Sequence, residues 1–163
     1  MAPRCIYQKD NMKDFLKKYK FGIDYWGLVL FVLLMLPNIV YWCVPQFGGL
    51  GGNTPLDIAA NVFQVVAVAL LVFIVHKERR KPSLSHPLVY LAALFLLVYY
   101  IAWIFYFVDY FVGYWNYAVV LFLAVCPCAS LVLYETEAKN YPALLPTAIF
   151  AILHILSAIL QIV

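Results

Sequence analysis

Charge is scarce in this chain. Asp, Glu, Lys and Arg make up 12% of its 163 residues, against about 25% in soluble domains. A 66% hydrophobic content and 18% aromatic content complete that departure and exclude an ordinary soluble fold. The 11 Lys and Arg residues exceed the acids by only three, and they cluster beside apolar segments. That placement excludes a nucleic-acid surface and suits anionic lipid headgroups. Cysteine is also sparse: Cys5, Cys43, Cys126 and Cys128 are not spaced as a disulfide framework and fix no redox compartment. No internal repeat of the kind that builds inverted-topology transporters is present. The first 20 residues lack an apolar core ahead of small residues, so no cleavable signal peptide is expected.

The long apolar runs define the class. Five segments, at about 25–44, 57–75, 88–110, 115–134 and 144–163, are long enough at 1.5 Å per residue to cross a hydrocarbon core of about 30 Å. The expected fold is an all-α integral membrane protein, a five-helix transmembrane bundle over 25–163 preceded by a basic amphipathic segment, 1–24. Residues 8–20 place Met12, Phe15, Leu16 and Tyr19 on one side of a helix ringed by lysines. The same stretch also reads as a solvated basic leader that sets topology. Asp24 is placed to cap the first span, and Pro37 to kink it beside Asn38. The glycine-rich run 45–55 is loop chemistry: no strand precedes it and no Lys follows, which excludes a phosphate-binding loop. Lys and Arg occupy the N-terminal segment, the loop after the second span and, as Lys139, the turn before the fifth. The positive-inside rule therefore gives a cytoplasmic N-terminus and an outside C-terminus.

Polar side chains inside the spans need a partner or water and mark candidate sites. Asp57, Asn61 and Gln64 fall at i, i+4 and i+7, one helical stripe. Asn38 sits at comparable depth on the first span, and Asp109 and Asn116 ring the same outer edge. With His154 as a floor, these seven residues form a candidate outward-facing ligand pocket walled by aromatics. Such walls suit a small amphipathic molecule or lipid better than a bare ion. The same amides also serve as ordinary interhelical packing devices. The rival class is therefore a structural or regulatory subunit of a larger membrane complex, and homo-oligomerisation fits either reading. No catalytic residue, cofactor or nucleic-acid partner is expected.

Three local or whole-chain patterns carry resemblances. Cys126-Pro127-Cys128 resembles the Cys-Pro-Cys of metal-pumping P-type ATPases, which would make both thiols soft-metal ligands with Met35 and His154 at similar depth. On a regular helix the two cysteines point about 200° apart, however, and buried free cysteines are the alternative. Phe150 to His154, after Glu135 and Glu137, resembles the Phe-x-x-x-His helix of membrane-embedded CAAX-type proteases, which would imply hydrolysis. This chain departs from that pattern in lacking a glutamate-then-arginine pairing and a second late histidine. Across the whole chain, Phe21 to Leu28, Leu36 to Trp42 and Ala143 to His154 resemble a group of small multispan proteins of Gram-positive bacteria. That resemblance implies a multi-pass protein of the bacterial cytoplasmic membrane and attaches no activity. In size and span count the chain is also similar to the translocator/tryptophan-rich sensory proteins.

Overall fold

The computed structural model describes residues 15, 17–43, 54–79, 81–108 and 114–162. A three-residue strand, β1 (Tyr19–Phe21), precedes helix α1 (Tyr25–Cys43) and helix α2 (Pro55–Phe73). Strand β2 (Ile74–His76) follows, then α3 (Pro87–Val108), α4 (Tyr114–Glu137) and α5 (Tyr141–Ile162). All five helices are long and apolar enough to cross a membrane, in agreement with the expected bundle. Large apolar side chains such as Val65, Leu97, Ile152 and Leu160 are exposed on the outside. That is the surface a bilayer, and not water, accommodates.

Against the expected bounds of 134 and 144, α4 runs on to Glu137 and α5 already begins at Tyr141, and two further boundaries depart beside the strands. The basic helix expected to reach Lys20 gives way to β1 at Tyr19, and the second span ends at Phe73 instead of 75. The reason is pairing: β1 and β2 run antiparallel, with Tyr19 opposite His76, Lys20 opposite Val75 and Phe21 opposite Ile74. Bonds from Gly22 N–H to Phe73 O (3.0 Å) and from Asp24 N–H to Val72 O (2.8 Å) extend the ladder. These bonds occupy carbonyls that the end of α2 leaves free. The rest of the 8–20 stretch lies largely outside the described residues.

The helix ends are specified by side chains. Thr54 accepts the Asp57 N–H while Asp57 accepts the Thr54 N–H, a capping box, with Pro55 in the first turn. Asp24 accepts the Gly27 N–H at 2.8 Å, as expected of a cap on α1. Gly27 makes the approach close: a Cβ there would lie 3.1 Å from the Asp24 carboxyl and 3.1 Å from Leu71 Cγ, so those side chains would have to give by a few tenths of an ångström. The α4–α5 turn is a Schellman motif: Asn140 N–H reaches Glu135 O, Lys139 N–H reaches Thr136 O, and Lys139 adopts φ 55°.

Helices pack most closely as the pairs α3–α4, α2–α5 and α4–α5, whereas α1 is held lightly. The main core joins Leu34, Leu71, Tyr99, Trp103, Cys126, Leu131 and Tyr134, and a smaller cluster joins Ala60, Cys128 and Phe150. At its β1 end, α1 is tied to α2 through Asp24 and Gly27. Towards its far end α1 turns to α3, where Tyr41 packs on Trp103 and Tyr106. A cleft between α1 and α2 results.

Candidate ligand cleft and the polar networks around it

The cleft is an open groove of about 490 Å³ on the outer face of the bundle, lined by Leu28, Phe31 and Met35 of α1 and by Gln64, Val65, Val68, Ala69, Val72 and Phe73 of α2, of which Leu28, Val65 and Phe73 are exposed. Helical spacing explains both walls. Positions 28, 31 and 35 are i, i+3 and i+7, and 64, 68 and 72 recur every four residues. The volume lies within the range of small-molecule sites. Gln64 is the only polar liner among the described residues. It is the central residue of the 19-residue helix α2, about 13 Å from either end. Its amide has no hydrogen-bond partner among the described residues.

The other members of the sequence-derived constellation are distributed differently. Asn38 donates to Leu34 O (3.0 Å) and to the Tyr99 hydroxyl (2.8 Å), which itself donates to Leu34 O (3.0 Å). It thereby ties α1 to α3. Asp57 completes its own cap and accepts the Ser157 hydroxyl from α5. His154 stacks on Phe150, with ring centroids 5.1 Å apart, and lies within electrostatic reach of Asp57. Asn61 lies one turn beyond Gln64 on α2 and is exposed. Asp109 and the side chain of Asn116 lie outside the described residues. The structure thus joins Asp57 to Ser157 across α2 and α5, places Gln64 on the cleft, and assigns Asn38 to a different seam.

Cys126 and Cys128 are both buried free thiols, in the main core and the smaller cluster respectively. No group of three or more His, Cys, Asp and Glu side chains among the described residues is arranged to hold a metal ion. Nor do the acids of the hydrolase-like pattern meet His154. Glu135 accepts the Thr147 hydroxyl at 2.6 Å and Glu137 pairs with His86 at 2.8 Å. Thr147 is seven residues from His154 along α5, a rise of about 10 Å.

Three polar networks were not identified from the sequence. The first, beside β1 and β2, joins Asp24, Arg79 and Tyr134. Arg79 pairs with the Asp24 carboxylate and donates to the Tyr134 hydroxyl. Tyr134 in turn donates to Asp24 at 2.9 and 3.0 Å. With the Gly27 N–H, the buried carboxylate gains donors from three sources, which offsets its desolvation. In the second, Asn140 caps α5 and reaches across to the carbonyls of Leu70 (3.1 Å) and Ile74 (2.9 Å). The third is Glu135, 1% exposed, whose Oε2 has no partner among the described residues.

Proline supplies one more link. Pro37 cannot donate to Leu33 O within α1, and the Tyr100 hydroxyl of α3 donates to that carbonyl at 2.7 Å. A freed backbone group in an apolar surround is thereby satisfied.

No protein-family model, curated protein or solved structure matches the chain.

Proposed function

We propose that the protein lies across a cell membrane, basic end in the cytoplasm and C-terminus outside, and binds or passes a small amphipathic ligand in the α1–α2 cleft. The single observation that carries this reading is Gln64. An amide at the middle of a membrane-length helix needs a partner, the described protein supplies none, and the side chain faces a 490 Å³ apolar cleft. A bound molecule with a hydrogen-bonding group answers that need. Lys and Arg on the β1–β2 side support the orientation, and Asn61 and Asp57 continue the polar stripe from Gln64 towards the opposite end. The whole-chain resemblance supports a bacterial cytoplasmic membrane.

A second reading, a structural or regulatory subunit of a larger complex, is favoured by Asn61. This exposed amide also lacks a partner among the described residues, and a helix of a second chain could satisfy it.

The test is organic extraction of purified protein followed by mass spectrometry, comparing wild type with Ala69→Trp, which fills the cleft from its α2 wall. Wild type should release a stoichiometric small molecule that the variant lacks. Equal, substoichiometric recovery from both would sink the ligand reading.

A further inference from the structure

The α1–α2 cleft combines three properties that restrict what it accepts. Its nine lining residues include no ionisable side chain. Among the described residues its only hydrogen-bonding side chain, Gln64, lies midway along α2, about 13 Å from either helix end. In a bilayer that is the depth at which an ion is most costly. The described cations are elsewhere: Lys17, Lys18, Lys20, Lys77, Arg79, Lys81 and Lys139 all lie before α1, after α2 or in the α4–α5 turn. Arg79 is already paired with Asp24. A phosphate or carboxylate held against Gln64 would therefore meet no compensating charge from the described residues.

Hydrogen bonding selects in the same direction. A glutamine amide offers two N–H donors and one acceptor oxygen. A ketone, quinone or alcohol oxygen can accept from it without bringing charge into hydrocarbon. The remaining liners, Leu28, Phe31, Met35, Val65, Val68, Ala69, Val72 and Phe73, offer a continuous apolar wall. Leu28 to Met35 spans about 10 Å along α1. That wall suits an extended alkyl or isoprenoid chain.

We infer that the cleft takes an uncharged lipid-like molecule, an alkyl or isoprenoid chain bearing a carbonyl or hydroxyl oxygen that accepts the Gln64 amide N–H near the bilayer midplane. This rests on the cleft being a ligand site, and it names the class of ligand.

The experiment uses the full chain reconstituted in phosphatidylcholine vesicles and two photoreactive probes with the same diazirine-bearing sixteen-carbon chain, one ending in an alcohol and one in a phosphate. Labelled peptides are mapped by mass spectrometry. The alcohol should label residues 28–35 and 64–73 well above the lipid-facing surface of α3 around Leu97 and Ile101. The phosphate probe should label the cleft at least threefold less. Gln64→Leu should lower alcohol labelling by about threefold, the equivalent of one average hydrogen bond inside a membrane. Ala69→Trp should abolish it.

Cleft labelling by the phosphate probe at or above the alcohol's level overturns the uncharged class and leaves the cleft as a ligand site. Cleft labelling no stronger than that of α3, with either probe, removes the ligand site itself. Loss of an oligomer in Gln64→Leu, without any change in labelling, assigns the amide to contact between copies and overturns the inference. Unchanged thermal midpoints for both variants establish that each folds, and an unfolded Gln64→Leu is replaced in the comparison by Ala69→Trp.

Discussion

Replacing Arg79 with Met removes the cation from a carboxylate that the fold has already buried. Asp24 is 3% exposed and accepts from Gly27, Tyr134 and Arg79. The Met stem keeps most of the packing against the Tyr134 ring, over which the guanidinium lies 5.5 Å from the centroid, so the change is largely one of charge. Breaking a buried pair by removing one partner costs about 3–5 kcal/mol. Arg79 is itself 12% exposed, close enough to solvent for water to take part of its place, so the lower figure, about 3 kcal/mol, is expected. Asp24→Asn keeps an acceptor for the Gly27 N–H and leaves Arg79 near the surface, at about 1–2 kcal/mol. The double variant no longer buries an unpaired charge, so it should be less destabilised than the sum of the singles by about 2 kcal/mol. Equilibrium unfolding in mixed micelles measures all four corners of this cycle. An Arg79→Met variant within about 0.5 kcal/mol of wild type, or strict additivity, refutes the buried-pair account.

Four further outcomes follow from named contacts. Tyr100→Phe should cost about 1–2 kcal/mol by stranding the Leu33 carbonyl, and Pro37→Ala in the same chain should recover most of it by restoring the helical N–H; unfolding measurements on the pair decide this. Lys139→Gly should raise stability by about 1 kcal/mol, because Lys139 holds a left-handed conformation at φ 55° that glycine adopts without a Cβ penalty. Asn140→Ala should cost about 2 kcal/mol, losing the α5 cap and the bonds to Leu70 and Ile74 together, with faster hydrogen exchange at the start of α5 as the local signature. Metal analysis of protein purified without chelator should give the same content for wild type and Cys126→Ala/Cys128→Ala; metal present only in wild type would restore the soft-metal reading.

The five helices long and apolar enough to cross a membrane were legible because uninterrupted apolar length is the dominant constraint a bilayer imposes. Their ends were less so. Ile74 and Val75 continue the apolar run of α2, and nothing local distinguishes a last helical turn from a strand whose partner, Phe21 or Lys20, lies more than fifty residues earlier. The capping role of Asp24 was legible from its place before Trp26 and Gly27, but its ion pair was not, since Arg79 sits in a cluster that topology alone explains. Glu135 to Pro142 reads as a polar hinge by composition. In the fold Glu135 belongs to α4, and Asn140 stitches α2 to α5, because buried helix ends require such partners.

The polar stripe of α2 illustrates the same division. Helical periodicity places Asp57, Asn61 and Gln64 on one side, but which of them meets a neighbour depends on how α1 leaves α2. Gly27 lets α1 approach closely at one end, and the aromatic seam with α3 draws it away at the other. Asp57 then finds Ser157, while Gln64 is left on the cleft. Asn38, adjacent to Pro37 in sequence, was recognisable as an amide placed to bond a neighbouring helix, and it is half-buried in the fold. Its partner Tyr99, 61 residues away, was not recognisable from the sequence.

The most direct measurement is native mass spectrometry of detergent-released wild type beside Gln64→Leu. If Gln64 holds a ligand, wild type carries one additional small-molecule mass per chain, and the variant carries it at reduced occupancy. Wild type at its bare sequence mass, with Gln64→Leu losing only an oligomer or a partner, would contradict the ligand reading and make the α2 stripe a packing seam.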